Sequence, residues 1–432
     1  MLNIFKKNQE ENVMSKENTS IASVNAKTDT KKRNEQKERD IASIMKKTGW
    51  SYQETVEKVE ALKAKLGVTF FDYNKYNLHK VAAEDMESRY KEIQAKKQEN
   101  KKKLAESREH CINGVINQTG WERAVVEAKI DEAIKRTGCR YKEYLLYRFF
   151  ELTEEEQDQI PIMSFTAKLT KKFNVNAEFA RMLDDKARTN IFFSEFMRRP
   201  WCVNTDVTLE DFKKIFAKST KVIYKPLEGI GGHGISTYEI KDKNYAEVFS
   251  EIVKQPKGVV EEYVVQHPDM SKLCASSVNT LRVVTICSKT KPVTPDGKYM
   301  DIAYGALRIG GGTDVVDNFH SGGMAAAVDM KTGELITHAV DMTGETYIVH
   351  PVSGTRIKGF KIPFFDEAMQ MVRDICAKEG VEGNLGWDIA ISENGPVLIE
   401  ANRGPGAILL ISPYINEKKG MMRYVLDKYL DI

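Results

Sequence analysis

Three stretches in the second half of the chain carry residue types whose spacing suits phosphate and metal chemistry. One is GWDIAISENGPVLIEANRGPG, residues 386–406. Two apolar runs flank a Glu-Asn-Gly turn, a strong signal for a β-hairpin. Asp388 stands at the start of the first run, and Glu400 and Asn402 lie two apart on the second. Residues two apart on a strand share a face. Hard oxygen donors on one hairpin suit Mg²⁺, which takes a few such oxygens and completes its shell with water and phosphate. A solvent-facing polar edge is the plainer reading. Against it, Val397, Leu398 and Ile399 make the hairpin look buried, and acids are costly to bury.

The second stretch is KVIYKPLEGIGGHGIS, residues 221–236. An apolar strand ends in Lys225-Pro226, and a loop with Gly229, Gly231, Gly232 and Gly234 follows. Glycines let backbone N–H groups approach phosphate oxygens, and a lysine sets a charge beside them. The loop lacks the G-K-[ST] ending of a Walker loop and does not open a helix as a dinucleotide fingerprint does. Alone it reads equally well as a hairpin turn. The third stretch, GVVEEYVV (258–265), is a strand ending at Glu261-Glu262. It suits a hinge whose backbone pairs with an adenine edge, or an ordinary strand end.

Between these stretches, Arg282 and Arg308 stand inside apolar runs, TLRVVTICS and YGALRIGGG. An arginine in such a setting needs an anionic partner, either a ligand or a structural carboxylate. Asn318 and His320 fall in the connecting loop before Gly322-Gly323. His320 either contacts substrate or caps a turn. Asn318, His320 and Arg403 are candidate substrate contacts.

The elements that must position these residues follow from composition and pattern. With 432 residues, 41% of them hydrophobic, the chain predicts two or three globular domains. The net charge of +3 argues against a protein whose main task is gripping a nucleic-acid backbone. No run of eighteen apolar residues exists to span a membrane, and the opening MLNIFKKNQEENVMSKENTS lacks the apolar core of a signal peptide. The six cysteines form no CxxC pair and read as reduced, mostly buried thiols of a cytosolic protein.

Residues 1–40 are polar and nearly free of aromatics, which predicts a disordered leader. From 41 to 180 the pattern is helical. Val56, Val59, Leu62 and Leu66 keep helical spacing, Ser51 with Glu54 reads as a capping box, and Gly67 sits where a C-cap belongs. The segment is duplicated. Thr48-Gly49-Trp50 recurs as Thr119-Gly120-Trp121, Gly67 as Gly138 and Tyr76 as Tyr147, all at an offset of 71. Two helical hairpins, about 41–85 and 112–156, are joined by a highly charged stretch that reads as a solvated helix. The pair serves either as a structural appendage or as a docking surface for a carrier or partner protein. From 181 to 432, β-branched runs, helices and glycine-rich turns alternate, which predicts an α+β catalytic unit.

In order and spacing these segments resemble the ATP-grasp superfamily. The likeness is to carboxylate–amine ligases of the ribosomal-protein glutamate ligase type, and D-alanine–D-alanine ligases share the ending that reads EANRGPG here. The NTLR, LRIG and DNFHSGG segments resemble the sugar-transfer-associated ATP-grasp group, found with surface-polysaccharide genes. The resemblance covers about 180–410 and implies ATP with Mg²⁺, two ions, held between two α+β subdomains. It implies that Lys186 and Lys225 contact phosphates and that Gly231, Gly232 and Gly234 close over them. Glu261, Glu262 and Val264 would form the adenine hinge. Asp269 would hold the ribose, although HPDMSKL departs from the usual continuation. Asp388, Glu400 and Asn402 would bind the metal, and Arg282 and Arg308 would face the transferred phosphate or the acceptor carboxylate. The implied activity joins a small-molecule carboxylate to an amine through an acyl phosphate. A kinase acting on a hydroxyl, or a nucleotide-binding scaffold, are the alternatives.

Overall fold

The computed structural model describes residues 31–227, 234–312, 322–405 and 422–430. It divides into two compact units, Met1–Glu106 and Ser107–Ile432. The first unit is helical. Helix α1 (residues 31–48) ends where the Thr48 hydroxyl donates to the Ile44 carbonyl and Gly49 turns to φ +77°. Helix α2 (Tyr52–Leu66) begins at Ser51, whose hydroxyl accepts the Glu54 N–H at 3.2 Å. The expected capping box is only half formed, because Glu54 turns outward to Lys58 at 2.8 Å. Gly67 ends the helix in the left-handed region (φ +78°) with its N–H on the Lys63 carbonyl, a conformation that favours glycine. Helix α3 (Phe70–Lys75), a 3₁₀ turn (Leu78–Lys80) and helix α4 (Met86–Thr119) follow.

The same elements recur 71 positions later. The end of α4 is followed by α5 (Arg123–Thr137), α6 (Tyr141–Leu146) and a 3₁₀ turn (Phe149–Glu151). Gly138 caps α5 at φ +77°, and Arg148 enters the 3₁₀ turn at φ +49°, as Asn77 does at +50°. Buried Ile41 and Ile44 match buried Ile112 and Val115. Each repeat therefore begins upstream of its first hairpin, with a helix of its own.

Two expectations change. Residues 31–40 belong to α1 and end on buried Asp40, which accepts from Asn74 Nδ2 at 2.8 Å. Residues 1–30 of the expected leader lie outside the described residues. The charged stretch 31–40 is helical because its Glu, Lys, Arg and Gln are good helix formers and because Ile41 and Ile44 give the helix an apolar stripe to bury. The boundary between compact units falls at 106/107 rather than at 180. The second repeat shares a core with the catalytic sheet, its Tyr144, Leu146 and Tyr147 clustering with Val284, Ile286, Tyr304 and Ala306.

In the second unit, helices α7 (Glu154–Asp158), α8 (Met163–Lys172), α9 (Ala177–Leu183), α10 (Lys186–Phe192) and α11 (Ser194–Met197) lead into a small sheet. Its elements are β1 (Trp201–Val203), α12 (Leu209–Ile215), β2 (Lys221–Pro226), β3 (Ser236–Glu239), α13 (Tyr245–Ile252) and β4 (Gly258–Glu262). The strand order is β1-β4-β2-β3, all antiparallel. Val222, Tyr224 and Val260 pack with Phe212, Phe216, Val248 and Ile252 of α12 and its flank and α13. Strand alternation places Lys225 and Glu261 on the other face.

After α14 (Pro268–Leu273) comes the large sheet: β5 (Thr280–Cys287), β6 (Met300–Ile309), β7 (Met324–Ala327), β8 (Ala339–Asp341), β9 (Thr346–Tyr347), then α15 (Phe365–Ala377), β10 (Gly383–Ser392) and β11 (Gly395–Arg403). Its order is β11-β10-β5-β6-β7-β8-β9. Helix α16 (Met422–Leu430) closes the described chain. Leu281, Val283, Leu385, Trp387 and Ile389 face α15 in the main core. Arg282 and Asp388 alternate to the opposite face, the one that the second repeat covers farther along. All six cysteines are free and buried. No helix among the described residues is long and apolar enough to cross a membrane.

Candidate active site

The hairpin expected at 386–406 forms, with a turn between Ser392 and Gly395. Asp388 lies directly opposite Glu400 on one side and Arg282 on the other. A register shift after Asp388 keeps the acids together on the face that also carries Arg308. Asp388 is 2% exposed. Arg282 grips it with two nitrogens, Nε on Oδ1 and Nη2 on Oδ2 at 2.9 Å, and Arg308 Nη1 donates to Oδ2 at 3.1 Å. Burial pushes the carboxyl up, but the charges of Arg282 and then Arg308 hold it below the ordinary carboxylate range. The anionic partner that two buried arginines demanded is thus Asp388.

Both oxygens of Asp388, an expected metal ligand, accept from guanidinium groups. Glu400 and Asn402 are the other two expected ligands. Desolvation first and the Asp388 charge second push the Glu400 carboxyl up, while Lys225, Lys186 and Arg282 draw it back. Asn402 has a buried amide nitrogen with no hydrogen-bond partner. A solvent-accessible carboxylate opposite a like charge, beside an amide oxygen two residues on, fits a divalent cation with oxygen ligands. No group of three His, Cys, Asp or Glu residues that could hold a metal occurs among the described residues.

The small sheet brings a second charged cluster to this place. Glu261 is 2% exposed and accepts from Lys225 Nζ at 2.8 Å, Arg199 Nη2 at 2.6 Å and Asn190 Nδ2 at 2.9 Å. Burial raises its carboxyl, but the charges of Arg199 and then Lys225 hold it far below the usual range. Arg199 also donates to the Leu398 carbonyl of β11 at 2.6 Å. One side chain therefore ties the strand of Glu261 to the strand of Glu400. Arg199 was missed in the sequence because an Arg-Arg-Pro run reads as surface. The only available signal was its place between apolar Phe196-Met197 and Trp201.

A family model described as sugar-transfer associated ATP-grasp matches residues 164–418. The chain belongs to this family. No curated protein matches the sequence. Among solved structures, the chain is similar to N5-carboxyaminoimidazole synthetase from Staphylococcus aureus, at 11% identity over 52% of this chain and 45% of that one, with a TM-score of 0.30. It is similar to D-alanyl-alanine synthetase A from Vibrio cholerae at 10% identity, covering 60% of this chain and 68% of that one, with a TM-score of 0.34. A RimK domain ATP-grasp protein from Sphaerobacter thermophilus shows 11% identity over 62% and 75%, with a TM-score of 0.31. The chain spans about half the length of the first of these structures or less.

In this ATP-grasp chain the remaining expected residues are placed as follows. Lys186 opens α10, capped by Asp185, and its charge reaches Glu400. Glu262 accepts from the Ser219 hydroxyl at 2.7 Å, and Val264 follows β4 partly exposed. Glu261 turns its carboxylate to Lys225, Arg199 and Asn190, while the hinge role concerns its backbone. Asp269 lies in the first turn of α14 and pairs with Lys272 at 2.6 Å, a helical placement that explains the departure of HPDMSKL from a hinge continuation. Gly234, at φ +76°, sits over Pro226 at the end of β2. Gly231, Gly232, Asn318 and His320 lie outside the described residues. Arg403 is half exposed and pairs with Asp184 at 2.7 Å.

Proposed function

We propose that this site joins a carboxylate to an amine at the expense of ATP. The observation that carries the reading is the grouping of charges along β10 and β11: Glu400 lies opposite Asp388, which Arg282 and Arg308 hold, and the charges of Lys186, Lys225 and Arg282 draw its carboxyl down. In the proposed reaction a substrate carboxylate oxygen attacks the γ-phosphorus of ATP. The bond from that phosphorus to the β–γ bridging oxygen breaks, and ADP leaves. The amine nitrogen then attacks the acyl carbon, inorganic phosphate departs, and the nitrogen loses a proton to leave an amide.

Lys225 and Lys186 bind the phosphates, and Glu262 with Val264 borders the adenine. Glu261 positions Lys225, and Arg199 positions Glu261. Arg282 and Arg308 face the charge that builds on the phosphoryl oxygens and on the acceptor carboxylate, where preorganised cations are most effective. Glu400 and Asn402 would hold Mg²⁺, one or two ions, whose chemistry when bound is to neutralise phosphoryl charge as a Lewis acid. The glycine loop excludes water, which an acyl phosphate requires.

A carboxylate acceptor is favoured over a hydroxyl by the state of the acids. Phosphorylating a hydroxyl calls for a base to take its proton, and Asp388 and Glu261 are both held by cations. The family description, associated with sugar transfer, supports a saccharide or its amino-acid conjugate as a substrate, and with it a cytoplasmic role in surface-polysaccharide synthesis. The helical repeats are the seat of a carrier or partner protein.

The test is ADP release over a matrix of carboxylates and amines, with mass spectrometry of the product. Turnover requires both substrates, and the product carries an amide without phosphorus. Glu400→Gln and Lys225→Ala abolish turnover while circular dichroism stays unchanged. A stable phosphorylated product, or unimpaired turnover in both variants, refutes the assignment.

A further inference from the structure

The duplication provides an internal comparison for one surface. In the second repeat, Leu145, Leu146, Tyr147 and Phe150 pack in the core that includes the large sheet. Leu146 is 3% exposed and Tyr147 is fully buried, its hydroxyl near Tyr304 of β6. Their counterparts in the first repeat are Asn74, Lys75, Tyr76 and His79. Three apolar positions have become polar or basic, and Tyr76 alone is kept. Lys75 is exposed, and Tyr76 and His79 are half-buried. The backbone underneath is the same: α3 and α6, and the two 3₁₀ turns, match position for position.

We propose that this face of the first repeat docks an acidic segment of a partner protein. The inference extends the reading of the repeats as a partner's seat and does not depend on the reaction at the sheet. Charge complementarity identifies the occupant. Among the described residues neither Lys75 nor Lys80 has a carboxylate partner, and the carboxylate buried beneath them, Asp72, is taken by Lys97 and Tyr90. Lys75 lies 5.1 Å from the centroid of the Phe71 ring and 5.5 Å from that of Tyr76, and Phe71 is 46% exposed. The Lys75 ammonium framed by two aromatic rings, with exposed Lys80 five residues on, suits a short segment with carboxylates beside an apolar side chain.

Other anionic partners fit less well. Lys47 hydrogen-bonds the neutral amides of Asn74 and Asn77 and keeps its charge, so with Lys75 and Lys80 the face offers three ammonium groups, short of the roughly four to eight basic residues of a lipid-binding cluster. A nucleic acid rewards a continuous positive field over many phosphates, which three ammonium groups do not supply.

The test uses the full chain and a fluorescein-labelled helical peptide of alternating glutamate and leucine turns. The peptide binds, and binding weakens about tenfold in K75E/K80E and with rising salt, as expected for steering by rim charges. K63E/K65E, the same charge change on exposed α2 positions, leaves it intact. Equal loss in both double variants overturns the proposal, as does a failure of the peptide to bind. Preferential binding of phosphatidylglycerol vesicles or of a single-stranded oligonucleotide to the unchanged chain also overturns it. ATP binding is measured in parallel: if it is absent from the unchanged chain the ligase reading fails, and the docking result stands apart from it.

Discussion

Removing Arg199 should loosen the second unit far more than an ordinary arginine truncation does. Its side chain is 4% exposed, and two of its nitrogens hold Glu261, which is 2% exposed. In Arg199→Ala the buried carboxylate keeps Lys225 and Asn190 but loses its two-nitrogen grip, and the Leu398 and Met197 carbonyls lose a donor. Breaking a buried pair by deleting one partner costs about 3–5 kcal/mol. With a urea dependence of about 3 kcal/mol per molar for a unit this large, the midpoint falls by roughly 1–1.7 M. Trp201, two residues away at the start of β1, reports the transition by fluorescence. Arg199→Lys restores the charge without the fork, and about half of the loss returns. Replacing both partners, as Arg199→Met with Glu261→Leu, costs less than Arg199→Ala alone, since no uncompensated charge is left. A loss below about 1 kcal/mol in Arg199→Ala, or a double variant worse than the single, would refute the reasoning.

Two further outcomes are expected. Gly258→Ala should destabilise the small sheet by about 1–3 kcal/mol, because an added Cβ would stand 2.4 Å from the Tyr224 ring and 2.6 Å from the Lys225 carbonyl; urea unfolding and ATP affinity should fall together, and an unchanged affinity counts against it. Glu400 has a raised carboxyl, so its stability contribution is present below the ordinary value of about 4.3 and is lost as pH rises through its folded value; Glu400→Gln should therefore melt no lower than the unchanged chain at pH 7, while the acid-side weakening of Mn²⁺ binding disappears. Glu261 and Asp388 act with the opposite sign: both carboxyls are held low, so their contribution is present above the ordinary value and lost as pH falls.

How much could be read from the sequence depended on whether a signal was local. The offset of 71 was legible because Gly67 and Gly138 take a left-handed conformation that few other residues replace. The hairpin of Asp388 and Glu400 was legible because its turn residues and strand alternation lie within twenty-one positions. The first turns of the helix that opens the first repeat were hidden because only its last turns are apolar, so KKRNEQKERD reads as solvated chain. The partners of the charged groups were hidden for another reason. Arg199 and Glu261 are separated by 62 positions and Arg282 and Asp388 by 106, and no periodicity links residues so far apart. Asp388 and Glu261 carried the residue types of ligand-binding groups, yet each is spent on arginine or lysine.

That expenditure has a consequence for the net charge of +3. Glu261 faces Arg199 and Lys225, and Asp388 faces Arg282 and Arg308. Each buried carboxylate is set between two cations, so the two clusters together retain a surplus of two positive charges. Had the carboxylates been absent, four cations would have stood in a recess at a prohibitive self-energy. Had they been more numerous, the phosphates of a nucleotide would meet no net attraction. Two acids among four bases is the composition that holds the cations in place without cancelling them. Of the two cations on Glu261, Lys225 is the less committed to the fold: it is 13% exposed against 4% for Arg199, and Arg199 alone can satisfy Glu261. An incoming phosphate can therefore draw on Lys225 without stranding a buried charge, whereas drawing on Arg199 would break the link between the two sheets. The division of labour between these cations follows from burial, before any substrate is named.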